Sequence, residues 1–195
     1  MNKLQGFYAL AESNLPAVPW KKYDSGTEFD PDILWTIRSA VAKGEDLYLP
    51  RKIGVDANEA KAFAEELLNQ FKPEDMVLYY PYFIALKSGV IDISQHRIVI
   101  EAVKADLWNL VTNNQKDVTI IFEEEDINFV GDENFLTQDE IFKLVDYCPL
   151  IKRQFQNEIS NGKTILLEWS YARKSDRNGN PVGDTYLLFY EIRTV

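Results

Sequence analysis

The sequence predicts an α+β fold built on antiparallel sheet, and three observations carry that expectation. The chain ends in two alternating runs, Thr164–Ala172 and Thr185–Arg193, joined by a polar segment over 174–184 that holds Ser, Asp, Asn, Gly and Pro. That pattern spells a long C-terminal β-hairpin. Gly89–Ile93 and Ile98–Val103 alternate around the polar Ser94–Arg97 and spell a second one. Finally, Asp56-Ala-Asn-Glu59 and Thr137-Gln-Asp-Glu140 each set a capping box ahead of an apolar helical stripe. A chain of 195 residues suffices for one domain with a real core or for two small lobes sharing one.

Taken in order, Leu4, Phe7, Tyr8, Leu10 and Ala11 recur at helical spacing until Ser13-Asn14 and the prolines at 16 and 19 end the pattern. A helix over Leu4–Glu12 with an extended exit follows. For Ile33–Val41 local rules favour a helix, with Asp30 as N-cap, Pro31 at the first helical position and Gly44 after the last turn. The Asp56 box opens a helix whose stripe is Ala60, Phe63, Ala64, Leu67, Leu68 and Phe71. Met76–Lys87 is apolar and aromatic, and Pro81 inside it argues for a strand that bends or lies at an edge. Lys104–Asn114 reads as a helix burying Leu107, Leu110 and Val111, Asp117–Phe122 as a strand, and Glu123–Asp126 as a solvated acidic loop. The Thr137 box opens a helix over Ile141–Tyr147, which Pro149 restarts or kinks and Gly162 stops.

Composition narrows the function. Hydrophobic residues at 46% and aromatics at 13% exclude a disordered chain, and a formal charge of −10 argues against nucleic acid or an anionic membrane as partner. One cysteine, Cys148, precludes an intrachain disulfide, and one histidine, His96, precludes a His-rich metal site. Cys148 reads as packing and His96 as a surface turn residue. No apolar run approaches the roughly 20 residues that span a bilayer and no signal pattern opens the chain, so cytoplasm is the expected location.

The C-terminal hairpin carries the chemistry. Alternation puts Leu166, Glu168 and Ser170 on one face and Leu167, Trp169 and Tyr171 on the other, while Glu191 and Arg193 share a face of the return strand. Pairing through the turn brings two carboxylates and a guanidinium to one patch of sheet. Such a patch is either a solvated cross-strand ion pair or a site for a divalent cation and a polyphosphate.

Leu167-Glu168-Trp169, the turn, and Tyr186-Leu-Leu-Phe-Tyr-Glu191-Ile-Arg193-Thr194 resemble the ending of the ATP-grasp nucleotide-binding domain of phosphoenolpyruvate synthase, pyruvate phosphate dikinase and rifampicin phosphotransferase. Glu191 stands where that family has Gln, and Thr194 where it has Pro. Further stretches resemble it in order: Lys3, Phe7, Leu10, Asn14, Leu15 and Pro16; Ile37-Arg38-Ser39-Ala40 with Glu45-Asp46-Leu47 and Gly54; Tyr80 followed by Ser88-Gly89-Val90; and Ile98–Val103. The resemblance implies an ATP-grasp-like fold of two lobes, 1–75 and 76–195, and a strand rather than a helix over Leu34–Arg38. It implies that Lys3, Arg38 and Arg193 hold ATP phosphates, with Arg38 and Arg193 as the catalytic pair. It also gives Gly54 to a loop closing on the nucleotide, the Tyr80 backbone to the adenine edge, and Glu168 and Glu191 to Mg2+. The glycine-rich stretch of the family is replaced by Lys104-Ala-Asp-Leu-Trp108.

Two functions follow from the resemblance. One is an ATP- and Mg2+-binding domain, acting in phosphotransfer to an acceptor on a partner protein or a small molecule, since the chain lacks the family's phosphorylated histidine domain. The other is a degenerate ATP-grasp scaffold that binds a partner protein without turnover. A third possibility, an unrelated acidic α+β protein, takes the motif matches as chance.

Overall fold

The computed structural model describes residues 1–44, 46, 48–107, 110 and 116–195. Its elements are α1 (Lys3–Glu12), β1 (Lys21–Lys22), β2 (Trp35–Ala40), β3 (Arg51–Val55), α2 (Ala57–Gln70), β4 (Met76–Pro81), β5 (Phe83–Ile93), β6 (Arg97–Lys104), β7 (Val118–Glu123), β8 (Asp126–Gly131), α3 (Gln138–Val145), α4 (Cys148–Gln154), α5 (Gln156–Ser160), β9 (Ile165–Ser175) and β10 (Pro181–Thr194). The strands form two antiparallel sheets, one in the order β1-β4-β2-β3 and one in the order β10-β9-β5-β6-β7-β8. The fold is therefore α+β with an antiparallel C-terminal hairpin. The chain passes between the sheets at Tyr82, whose N–H donates to the Leu34 carbonyl at 2.8 Å. Pro81 thus marks the bend its sequence position announced.

Segment 33–41 settles the conflict between local signals and resemblance in favour of the strand. β2 lies between β4 and β3 and all its residues are buried, so tertiary pairing overrides the helix-entry signals. Asp30 closes a turn instead of capping a helix: its Oδ1 accepts the Asp32 N–H at 2.8 Å, and its carbonyl accepts the Trp35 indole N–H at 2.9 Å. Asp56 does cap α2, accepting the N–H groups of Asn58 and Glu59. Its buried stripe is narrower than expected, Ala60, Ala64 and Leu67, and Leu68 turns outward at 42% exposure. Of the helix expected over 104–114, Leu107 and Leu110 are buried, while 108, 109 and 111–115 lie outside the described residues.

The terminal hairpin is longer than its apolar runs. Its turn is Asp176–Asn180, where Asp176 Oδ1 accepts the N–H groups of Asn178 and Asn180 at 2.8 Å each and Gly179 takes φ +79°. A register shift between Val182 and Tyr186, with Gly183 at φ +75°, lets the polar flanks pair although they do not alternate. The acidic segment after β7 is a tight turn with Glu124 at φ 55°, and its last residue, Asp126, opens β8, an exposed strand that no sequence signal marks.

Three packing layers result. Helices α3 to α5 cover one face of the six-stranded sheet, with Leu144, Ile151 and Phe155 against Ile91, Leu167, Trp169 and Phe189. α2 covers the outer face of the four-stranded sheet over Trp35 and Ile37. Between the sheets, Phe7 of α1 packs with Leu78, Tyr80, Ala172 and Leu188. The exit from α1 is stitched to β10, with Val18 N–H donating to the Phe189 carbonyl at 3.0 Å and Phe189 N–H to the Pro16 carbonyl at 2.8 Å.

The seat of α1 depends on Gly6, where a Cβ would lie 2.4 Å from the carbonyl oxygen of Ile192. Backbone at that distance has no rotamer to yield. Gly6→Ala should therefore push α1 off β10 and lower stability by about 1–3 kcal/mol, read as a lower urea midpoint at unchanged slope.

Candidate functional site

A cleft of about 580 Å³ opens between the two sheets, and Lys3, Arg38, Tyr80, Glu168, Glu191 and Arg193 all line it. Five elements supply them. Lys3 is the first residue of α1, whose cap residue Asn2 accepts the Gln5 N–H at 2.9 Å and donates its amide to the Ala42 carbonyl at 3.0 Å. The Lys3 N–H donates to Asp46 Oδ2 at 2.8 Å, so the N-terminus is anchored beside the end of β2. Arg38 comes from β2, Glu168 from β9, and Glu191 and Arg193 from β10.

A β-bulge sets the register of the last three. Phe189 pairs with Trp169, but Glu191 pairs with Glu168, leaving Tyr190 as the extra residue. Without it, the strand's alternation would send either Phe189 or Glu191 to the wrong face. With it, Phe189 and Ile192 stay in the core while Tyr190, Glu191 and Arg193 line the cleft.

Glu191 is the hub. Its Oε2 accepts from Arg38 Nη2 at 2.9 Å, and its Oε1 accepts from Arg193 Nε at 2.6 Å and is ion-paired with Arg193 Nη2. Arg193 also lies 3.7 Å from Glu168 Oε1. The Arg38 guanidinium sits over the Phe7 ring, 5.4 Å from its centroid, which shields the pair from water on the α1 side. Burial opposes the charge on Arg38, yet the Glu191 carboxylate, by its charge and its hydrogen bond, holds the guanidinium firmly protonated. Burial likewise opposes ionisation of Glu191, but Arg38, Arg193 and Lys3 hold its carboxyl below the usual range. Glu168 goes the other way: burial first, and then the charge of Glu191, push it up to about 7. Burial also lowers Lys3.

Gly54 is not among the cleft-lining residues. It lies in β3 rather than in a loop, at φ +68° with the Tyr82 ring beside its Cα, where β3 carries a bulge against β2. The bulge fixes the register that sets Arg51 opposite Arg38, and both arginines line the cleft. The Tyr80 backbone lies within the β4 ladder opposite Thr36, so it is the Tyr80 side chain, not an open backbone edge, that meets the cleft. Tyr82 is half-buried and lines the cleft with Phe83 and Tyr190. Sequence reasoning also missed Arg51 and Asp106, which no local pattern marks. Ala105 adopts φ 60°, the left-handed backbone that glycine would take without strain. His96 is exposed, and Cys148 is buried with its thiol pushed up to about 12 by burial, in keeping with packing.

Cations from three elements surrounding a carboxylate pair can accept a polyanion and, on the carboxylates, a hard divalent cation. Glu168 and Glu191 face each other in register, and no group of three or more metal-binding side chains occurs among the described residues. Magnesium fits such a site only by taking its remaining ligands from water and phosphate, its usual habit.

No protein-family model matches the chain, and no curated protein matches it. Among solved structures it is similar to the macrocyclase MdnC bound with precursor peptide MdnA from Microcystis aeruginosa MRC, at 10% identity and TM-score 0.42, covering 97% of this chain and 51% of that one. It is also similar to the biotin carboxylase domain of a thermophilic 2-oxoglutarate carboxylase bound to ADP without magnesium, at 15% identity and TM-score 0.40, covering 95% and 38%. The chain thus spans about half or less of the length of these structures.

The state of Glu168 has a measurable sign. Its folded-state value lies above the 4.5 of a free carboxyl, so the stability present below pH 4.5 is lost as pH rises through about 7. Glu168→Gln removes that loss. In metal-free protein, the variant's stability relative to wild type should rise between about pH 5 and about pH 8, by up to about 3 kcal/mol in urea unfolding.

Proposed function

We propose that the cleft is a nucleotide site of the ATP-grasp type, in a chain of two lobes, 1–75 and 76–195, and that it binds ATP with Mg2+. Lys3, Arg38 and Arg193 take the phosphates, Glu168 and Glu191 hold the metal, and the side chains of Tyr80, Tyr82 and Phe83 offer an aromatic wall for the base. The observation that carries this reading is convergence: side chains from α1, β2, β9 and β10, distant in sequence, meet around one cleft. Its volume of about 580 Å³ falls in the usual range of small-molecule sites. Glu168 and Glu191 would hold the metal, whose positive charge would offset that of the phosphates. The chain's own part is to fix phosphate between Arg38 and Arg193, which would also stabilise charge on a transferring phosphoryl group, and to exclude water with Phe7, Tyr80 and Tyr190. The acceptor would be a small molecule or a group on a partner protein.

A second reading, a scaffold that binds a partner without turnover, draws on Lys104–Leu107, where Ala105 holds a glycine-like backbone but carries a Cβ. That methyl hinders a close approach of backbone to ligand.

Calorimetric titration with ATP and ADP, each with and without Mg2+, tests the proposal. Mg2+ should tighten ATP by a coupling of about 1–3 kcal/mol, and Glu168→Gln should remove most of it. Arg193→Ala should weaken the magnesium–nucleotide complex while leaving the fold intact by circular dichroism. Absence of nucleotide binding in the presence of Mg2+ would leave the scaffold reading.

A further inference from the structure

We infer that Glu191 is the discriminating residue of the cleft: by occupying both guanidinium groups, its carboxylate makes the site accept a polyphosphate chelated to a divalent cation and turn away the same polyphosphate without metal. This rests on the reading of the cleft as a phosphate site. The two oxygens of Glu191 are both engaged, Oε2 by Arg38 at 2.9 Å and Oε1 by Arg193 at 2.6 Å, and its side chain is 4% exposed. Arg38 Nη2 and Arg193 Nε and Nη2, donors that a phosphate would seek, are therefore already engaged by an internal anion of similar geometry.

A metal-free polyphosphate must break both contacts, and it then leaves Glu191 buried beside a second anion. Removing a partner from a buried ion pair and adding like charge both oppose binding. A divalent cation changes the balance in one step. Glu168 stands opposite Glu191 in the hairpin register, so a hard cation lodged between them gives Glu191 a new partner while its hold on the arginines loosens. Arg38 and Arg193 then become available to phosphate oxygens on the same metal. The metal requirement is thus written into the Glu191 contact and not only into the charge of the phosphate.

Linear tripolyphosphate, which lacks a base and reports on the phosphate site alone, distinguishes the outcomes. Its affinity is measured by calorimetry in chelator and in Mg2+ for wild type, Glu191→Gln and Glu168→Gln at about pH 8, where both variants remove a charge. Wild type should bind at least about tenfold more weakly in chelator than in Mg2+. Glu191→Gln should gain most of that factor in chelator, because its amide releases the guanidiniums. Glu168→Gln should gain little, because Glu191 still holds them. Equal gains in the two variants, or no gain in Glu191→Gln, overturn the inference while leaving a phosphate site in place. If wild type binds neither tripolyphosphate nor ADP in Mg2+, the nucleotide reading falls and this inference with it. Should Glu191→Gln not fold, the Arg193 Nε–Hε resonance of wild type decides. It should move when tripolyphosphate is added with Mg2+ and stay when it is added with chelator, and movement in chelator overturns the inference.

Discussion

The buried contact between Arg38 and Glu191 is the constraint on which the rest of the site depends. It ties β2 of the smaller sheet to β10 of the larger across 153 residues of sequence, and it does so at the floor of the cleft. Desolvating two charges is costly, and such a pair stands only when every oxygen and guanidinium has a partner. Here the second oxygen of Glu191 is taken by Arg193, and the face of Arg38 rests on Phe7. The apolar cluster of Phe7, Leu78, Tyr80, Ala172 and Leu188 closes around them, so the sheets are held by grease at the periphery and by charge at the centre. Removing either partner would strand the other, typically at about 3–5 kcal/mol, which makes the distance between the sheets and the ionic state of the cleft a single variable.

That coupling explains why the meeting of residues was legible in the sequence while its geometry was not. Alternation in the terminal hairpin puts Glu191 and Arg193 on one face, because a period of two is a property of any strand, but setting them opposite Glu168 takes the register of the pair. The one-residue insertion at Tyr190 was invisible, since a bulge leaves composition and apolar content unchanged. What the sequence suggested as two carboxylates available together is, in the fold, one carboxylate spoken for by two arginines and a second that stands near neutrality. Resemblance brought Lys3 and Arg38 to the same place, which no local rule could do, and for β2 it opposed the capping signals rightly, because those signals do not know which strands will flank a segment.

Where reading failed, long-range pairing had decided. The polar flanks of the terminal turn join the ladder because the opposite strand is there to receive them. Gly54 becomes a bulge residue in β3 instead of part of a loop, and so sets Arg51 opposite Arg38. Tyr80 turns its side chain to the cleft because its backbone is committed to the ladder with β2. Each is a consequence of register, a quantity that local propensity does not carry.

The two margins of the six-stranded sheet are managed by different means. At β10, the Phe189 N–H donates to the Pro16 carbonyl, the Phe189 carbonyl accepts the Val18 N–H, and α1 seats against Ile192, which covers the edge at those residues. At β8 nothing of the kind occurs among the described residues: the strand is exposed throughout, with Ile127, Phe129 and Val130 at 57%, 41% and 63%. What surrounds it is charge, Glu123, Glu124 and Glu125 before it, Asp126 at its start and Asp132 and Glu133 after, with no Lys or Arg from 123 to 133. Two such margins repel each other, so the acidic run serves as a gatekeeper against strand-to-strand stacking of identical molecules. Part of the chain's negative excess is thereby a colloidal device, and shielding it with salt would bare an adhesive rim along β8.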